Sequence, residues 1–67
     1  NYEVNMKLVV KDMNCGHCVK SITNAIKAID NAAVVETNLD TKEVEINGKL
    51  TQEQAVQAIT DAGFTVS

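Results

Sequence analysis

Met6-Lys7-Leu8-Val9-Val10-Lys11 leads through Asp12 into Met13-Asn14-Cys15-Gly16-His17-Cys18, and the fold is decided at this junction. Up to Lys11 the residues alternate, with Leu8 and Val10 facing a core and Lys7 and Lys11 facing water, which predicts a strand. From Gly16 the period changes. Val19, Ile22, Ile26 and Ile29 recur at helical spacing, with Lys20, Asn24 and Lys27 on the other side. Ala25 and Ala28 add helix propensity, and the turn-like Asp30-Asn31 ends the helix near Ile29. A strand thus passes into a helix through a loop holding both cysteines and the lone histidine.

Alternation returns after the first helix. Val35, Thr37 and Leu39 point one way, with Glu36 and Asn38 the other. Val44 and Ile46 then alternate with Glu43 and Glu45. A tight turn at Asp40-Thr41 or Thr41-Lys42 makes these two runs an antiparallel hairpin with an acidic, wet outer face. Asn47-Gly48 closes the second run. Thr51-Gln52-Glu53-Gln54 has the form of a capping box, with Thr51 as N-cap. Ala55, Val56, Ile59 and Ala62 form the buried stripe of a second helix, Gly63 caps its end, and Phe64-Thr65-Val66 predicts a short last strand. The order β-α-β-β-α-β is a split βαβ pattern. It predicts an α+β, ferredoxin-like fold: a four-stranded antiparallel sheet with two helices on one face. The two halves repeat one strand-helix-strand unit and differ most at the cysteine loop.

Composition supports a single domain over residues 1–67. With 45% hydrophobic residues, the 67-residue chain has material for one thin core, so disorder is not expected. Without proline or tryptophan and with three glycines, it favours regular elements joined by short turns. Two cysteines so close in sequence close too short a loop to staple the domain. No apolar run approaches the roughly 18 residues of a membrane span. Asn1-Tyr2-Glu3-Val4-Asn5 shows no basic region before a long apolar stretch, so no signal peptide and a cytoplasmic, reducing setting are expected. Opening on Asn points to a processed, excised or tagged chain, with Met6 as a candidate native start. The net charge of −3 argues against nucleic acid or an anionic membrane as partner.

The loop carries the chemistry. Cys15 falls just before the first helix and Cys18 within its first turn, so both sulfurs can converge on one point. Free N–H groups and the dipole at a helix start lower thiol pKa, to about 3.5–7.5 in such settings. Two thiolates repel, so the second proton leaves readily when a cation arrives, and binding releases protons. Structural zinc wants four ligands, whereas the chain offers two sulfurs and at most His17. Few thiolate ligands suit a soft monovalent ion, with Cu(I) the biological candidate, and leave it open to a partner's thiols. Spacing alone stops at a two-thiolate site. A buried inert pair and a thioredoxin-type redox pair are the competing readings. The latter fold carries a tryptophan and a cis-proline, and this chain has neither residue. His17 reads as an outward-facing tuner of the site, with ligation as the alternative, and Met13 as core packing, with its thioether as the alternative ligand. Phe64 reads as a core or loop-packing aromatic that could also shield the site from water, and Lys20 as a solvated helix residue.

Met13-x-Cys15-x-x-Cys18 after a strand, the split βαβ pattern and the late Ala62-Gly63-Phe64 together resemble the heavy-metal-associated domain family, over essentially the whole chain. The form Cys15-Gly16-His17-Cys18-Val19-Lys20 is most similar to bacterial copper chaperones. The resemblance implies a small, non-enzymatic cytoplasmic carrier that hands Cu(I) to the metal-binding domain of a copper-transporting P-type ATPase through shared-thiol intermediates. It makes Cys15 and Cys18 the metal ligands, Met13 the buried loop methionine and Phe64 the aromatic near the metal loop. On that reading Lys20 helps dock an acidic partner surface, and a metal-bridged homodimer is a further form. Rival readings are an excised N-terminal metal-binding domain of the ATPase itself, a carrier of Hg(II) or Zn(II), and a dithiol oxidoreductase.

The chain departs from the family pattern before the methionine, where Asp12 replaces a common glycine. Its charge is expected to raise the thiol pKa or favour the approach of a cation. Asp30-Asn31-Ala32 replaces a usual glycine before the second strand, with Asn31 expected in the left-handed conformation. Phe64 stands where bacterial chaperones more often have tyrosine.

Overall fold

A computed structural model describes residues 3–67; Asn1 and Tyr2, the first residues of the N-terminal segment read above, lie outside the described residues. The elements are β1 (Val4–Val9), α1 (Gly16–Ile29), β2 (Val34–Asn38), β3 (Glu43–Gly48) and α2 (Gln52–Asp61). The strands form an antiparallel sheet in the order β1-β3-β2. In register, Met6 faces Ile46 and Leu8 faces Val44 across β1 and β3, and Val35 faces Ile46 across β2 and β3. Alternation sends Met6, Leu8, Val44 and Ile46 into the core and leaves Lys7, Glu36 and Glu45 exposed on the other face. Ile22 and Ile26 of α1 and Ala55 and Ile59 of α2 close over the inner face, with no exposed surface. Val10 and Met13 plug the core from the cysteine loop, and Ala33 and Leu50 also belong to the core.

The expected fourth strand is absent among the described residues. Phe64–Val66 forms no ladder, and the sheet has three strands. The Ser67 amide does bond the Val9 carbonyl at 2.8 Å, so this segment lies along the free edge of β1. The Thr65 amide, however, donates to the carboxylate of Asp12 rather than to a backbone carbonyl, at 3.2 Å to each oxygen. A side chain has taken the donor that a ladder needs.

The ends of the elements also refine the sequence reading. β2 stops at Asn38, whose Oδ1 accepts from the amides of Asp40 and Thr41 at 2.9 and 3.1 Å. Its carbonyl accepts from the Lys42 amide at 2.8 Å, so the hairpin turn holds four residues, 39–42. Leu39 therefore sits in the turn and is 39% exposed instead of continuing the inward stripe. Among the described non-glycine residues the left-handed one is Lys42, at φ 65°, and not Asn31. The turn after α1 is built on Asp30 instead: its Oδ1 accepts from the Ala32 amide at 3.2 Å and its Oδ2 from the Lys49 amide at 2.8 Å. Ile29 is 45% exposed and Ala62 is exposed, because both lie on the outer seam between the helices, beside Ala25 and Ala58.

The start of α2 is as expected. Gln54 N–H donates to Thr51 Oγ1 at 3.1 Å, and Thr51 N–H donates to Gln54 Oε1 at 2.8 Å, which completes the capping box. At the other end Gly63 adopts φ 100°, which lets its amide reach Thr60 O and the Phe64 amide reach Ile59 O. These paired bonds are a Schellman ending, for which the left-handed glycine is needed.

Candidate metal centre

The junction of β1 and α1 places the two cysteines together. Cys15 is the N-cap of α1, extended at φ −152° and ψ 170°, and its carbonyl accepts the helical bond from the Val19 amide at 3.2 Å. Cys18 lies in the first turn and packs against the core. The two sulfurs are 3.3 Å apart, with Cys15 exposed and Cys18 half-buried. The pair is thus rooted on one side and open to solvent on the other.

Cys15 makes no cap hydrogen bond of ordinary geometry, yet its thiol is held below the usual thiol range. The Cys18 amide contributes most, followed by the Cys18 thiol and the His17 amide, while burial opposes them. The two amides are free N–H groups of the helix N-terminus, which favour a thiolate, and the Cys18 thiol adds a side-chain donor. Asp12 is not among these causes. Its carboxylate is occupied with Thr65, and the Cys15 shift is downward, against the upward shift expected beside a new negative charge.

Other loop residues separate by position. Met13 is fully buried in the core cluster, as a packing residue should be. His17 is exposed, and among the described residues no group of three or more Cys, His, Asp or Glu side chains converges. The structure therefore brings Cys15 and Cys18 together and does not bring His17 to them. Lys20 is exposed on α1, and Phe64 is half-buried against the core. A Cβ at Gly16 would meet nothing within 4 Å, so the helix start does not require glycine there.

Lys42 was not singled out by the sequence. Its ammonium donates to the Met13 carbonyl and to Asn14 Oδ1, at 3.0 Å each. Its own carbonyl accepts from the Val10 amide at 2.8 Å. A polar turn residue 29 positions beyond Met13 gives no local signal of such a contact.

Residues 7–65 match the heavy-metal-associated domain. The chain is 34% identical over 62 residues to the copper chaperone CopZ of Staphylococcus aureus (strain MRSA252), covering 88% of this chain and 91% of that protein. It is 30% identical over 63 residues to CopZ of Bacillus subtilis (strain 168), covering 90% and 91%. Its fold superposes on the copper chaperone Atx1 from Synechocystis PCC6803 with a TM-score of 0.91 at 34% identity, covering 92% of this chain and 98% of that one. The three-stranded sheet with two helices is thus a ferredoxin-like arrangement of the kind those carriers use. The chain belongs to the heavy-metal-associated domain family.

Proposed function

We propose that this chain is a cytoplasmic copper chaperone, a carrier rather than an enzyme, that binds Cu(I) between the sulfurs of Cys15 and Cys18. It then delivers the ion to the metal-binding domain of a copper-transporting P-type ATPase by thiol exchange. The observation that carries this reading is the sulfur pair itself: 3.3 Å apart, at an exposed helix N-terminus, with no third ligand converging among the described residues. A pair of thiolates suits a soft monovalent ion and leaves zinc two ligands short. The similarity to CopZ and Atx1 points the same way.

Capture displaces the protons of both thiols and leaves an anionic bis-thiolate complex. The lowered pKa of Cys15 eases the loss of its proton. In hand-over, a partner thiolate adds to the copper on the open side, giving an ion held by three sulfurs. Cys15, the exposed partner of the pair, is the sulfur suited to leave, and it takes up a proton as a second partner thiol binds and loses one. Copper keeps its oxidation state throughout. The same openness permits a copper bridged between two copies of the chain.

An anaerobic Cu(I) titration against a competing chelator, with zinc in parallel, tests the reading. Tight one-to-one Cu(I) binding is expected, lost in Cys15→Ser and Cys18→Ser. Unchanged affinity in either variant overturns the ligand assignment. Metal-independent turnover of disulfide substrates would favour a dithiol oxidoreductase instead.

A further inference from the structure

We propose that Lys42, in the β2–β3 turn, is a positioning residue that clamps the metal loop and sets the separation of the two sulfurs; this rests on the copper-carrier reading above. The two cysteines are held very differently. Cys18 lies inside α1 and packs on the core, so the helix fixes it. Cys15 is exposed and makes no side-chain cap bond; the helix holds it only through its carbonyl, so its placement also depends on how the residues before it are held.

Those residues are gathered by Lys42. Its carbonyl takes the Val10 amide at the end of β1, and its ammonium takes the Met13 carbonyl and the Asn14 side chain, next to Cys15. One turn residue therefore holds the loop at its start and again one residue before the ligand. The backbone of Lys42 points to the same role. It sits at φ 65°, a region that a residue with a Cβ rarely adopts, and from there the ammonium reaches the loop. Glycine would relieve that conformation and would lose the ammonium.

A clamp of this kind pre-organises a chelate. With the loop held, both sulfurs face one ion without first being ordered. With it released, Cys15 must be ordered at each binding event and departs more readily. Partners that orient a metal ligand are commonly worth tenfold or more in affinity.

The test compares Lys42→Met, which keeps the stem and removes the donors, with Lys42→Arg, which restores a cationic donor. In Lys42→Met, Cu(I) affinity is expected to fall about tenfold, with release to chelator quickened. In the metal-free protein, amide exchange should quicken at Asn14 and Cys15 but not at Ile22 or Ile26, and Lys42→Arg should return both readouts towards wild type. Unchanged affinity and unchanged loop exchange in Lys42→Met overturn the clamp, as does exchange that quickens equally throughout the domain. If wild-type protein does not bind Cu(I), the copper reading fails, and the clamp is judged on metal-free exchange alone. Should Lys42→Met not fold, Asn14→Ala, which removes one acceptor and leaves the turn intact, is read in the same way.

Discussion

The carboxylate of Asp30 occupies the space into which a side chain at Gly48 would project. A Cβ on Gly48 would stand 2.7 Å from Asp30 Oδ2, 3.0 Å from Ala33 Cβ and 3.2 Å from Leu50 Cδ2. Asp30 cannot easily yield, because its two oxygens hold the amides of Lys49 and Ala32. Gly48→Ala should therefore destabilise the domain by about 2 kcal/mol, within the usual range for overpacking. Urea unfolding would measure it. An unchanged midpoint would show that the Asp30 turn moves aside without loss. Since Gly48 pairs with Val4, at the end of β1 away from the cysteine loop, Cu(I) affinity should follow only the fraction folded.

At the start of α2, Thr51→Ala removes one half of a reciprocal pair and leaves the Gln54 amide without its side-chain acceptor. Loss of an N-cap of this kind typically costs about 1 kcal/mol. The expected result is a lowered unfolding midpoint, with amide exchange quickened first at residues 52–54. Thr51→Ser should recover most of the difference, because the hydroxyl oxygen is the acceptor.

The features legible in the sequence were those decided within a few residues. Thr51 and Gln54, or Cys15 and Cys18, lie within one helical turn of each other, so spacing alone predicts that they meet. Leu8, Val10, Ile22, Ile26 and Ile59 announced the core because their periods persist through whole elements. The inward stripes fail at element ends, where the local period no longer governs: Leu39 lies in the hairpin turn, and Ile29 and Ala62 lie on the outer helix seam. What stayed hidden was the choice made by distant polar groups. Whether Phe64–Val66 forms a ladder turns on the Thr65 amide, and Asp12, 53 positions away, takes that donor. The hold of Lys42 on the cysteine loop is long-range in the same way. Donors and acceptors carry no period, so their pairing is not readable from a pattern.

The lowered pKa of Cys15 fixes the direction of two pH effects. Its folded value lies below the unfolded one, so the folded state favours the thiolate. The associated stability is fully present above the unfolded thiol value, about 8.5, and is lost as pH falls through the lowered folded value. In reduced, metal-free protein, stability should accordingly rise with pH across that window and then level off, and Cys15→Ser should remove this rise. Alkylation of Cys15 by iodoacetamide should show a pH midpoint below that of a free thiol, and a midpoint at or above about 8.5 would contradict the helix-terminus account.

The bond between Asp12 and Thr65 separates two roles that a carboxylate beside the cysteine loop could play. As a tether it needs only an acceptor, whereas as an electrostatic element it needs the charge. Asp12→Asn keeps an acceptor for the Thr65 amide and removes the charge; Asp12→Ala removes both. If the tether is what matters, Asp12→Ala should quicken amide exchange at Thr65 and Ser67 and lower stability by about 1 kcal/mol, the usual net worth of one hydrogen bond. Asp12→Asn should stay close to wild type in both measurements. The Cys15 alkylation midpoint should be the same in wild type and Asp12→Asn, because the amides of Cys18 and His17 and the Cys18 thiol, not Asp12, set that value. A midpoint that drops in Asp12→Asn would instead show that the Asp12 charge reaches the sulfur, and would restore the role expected of it as a brake on thiolate formation.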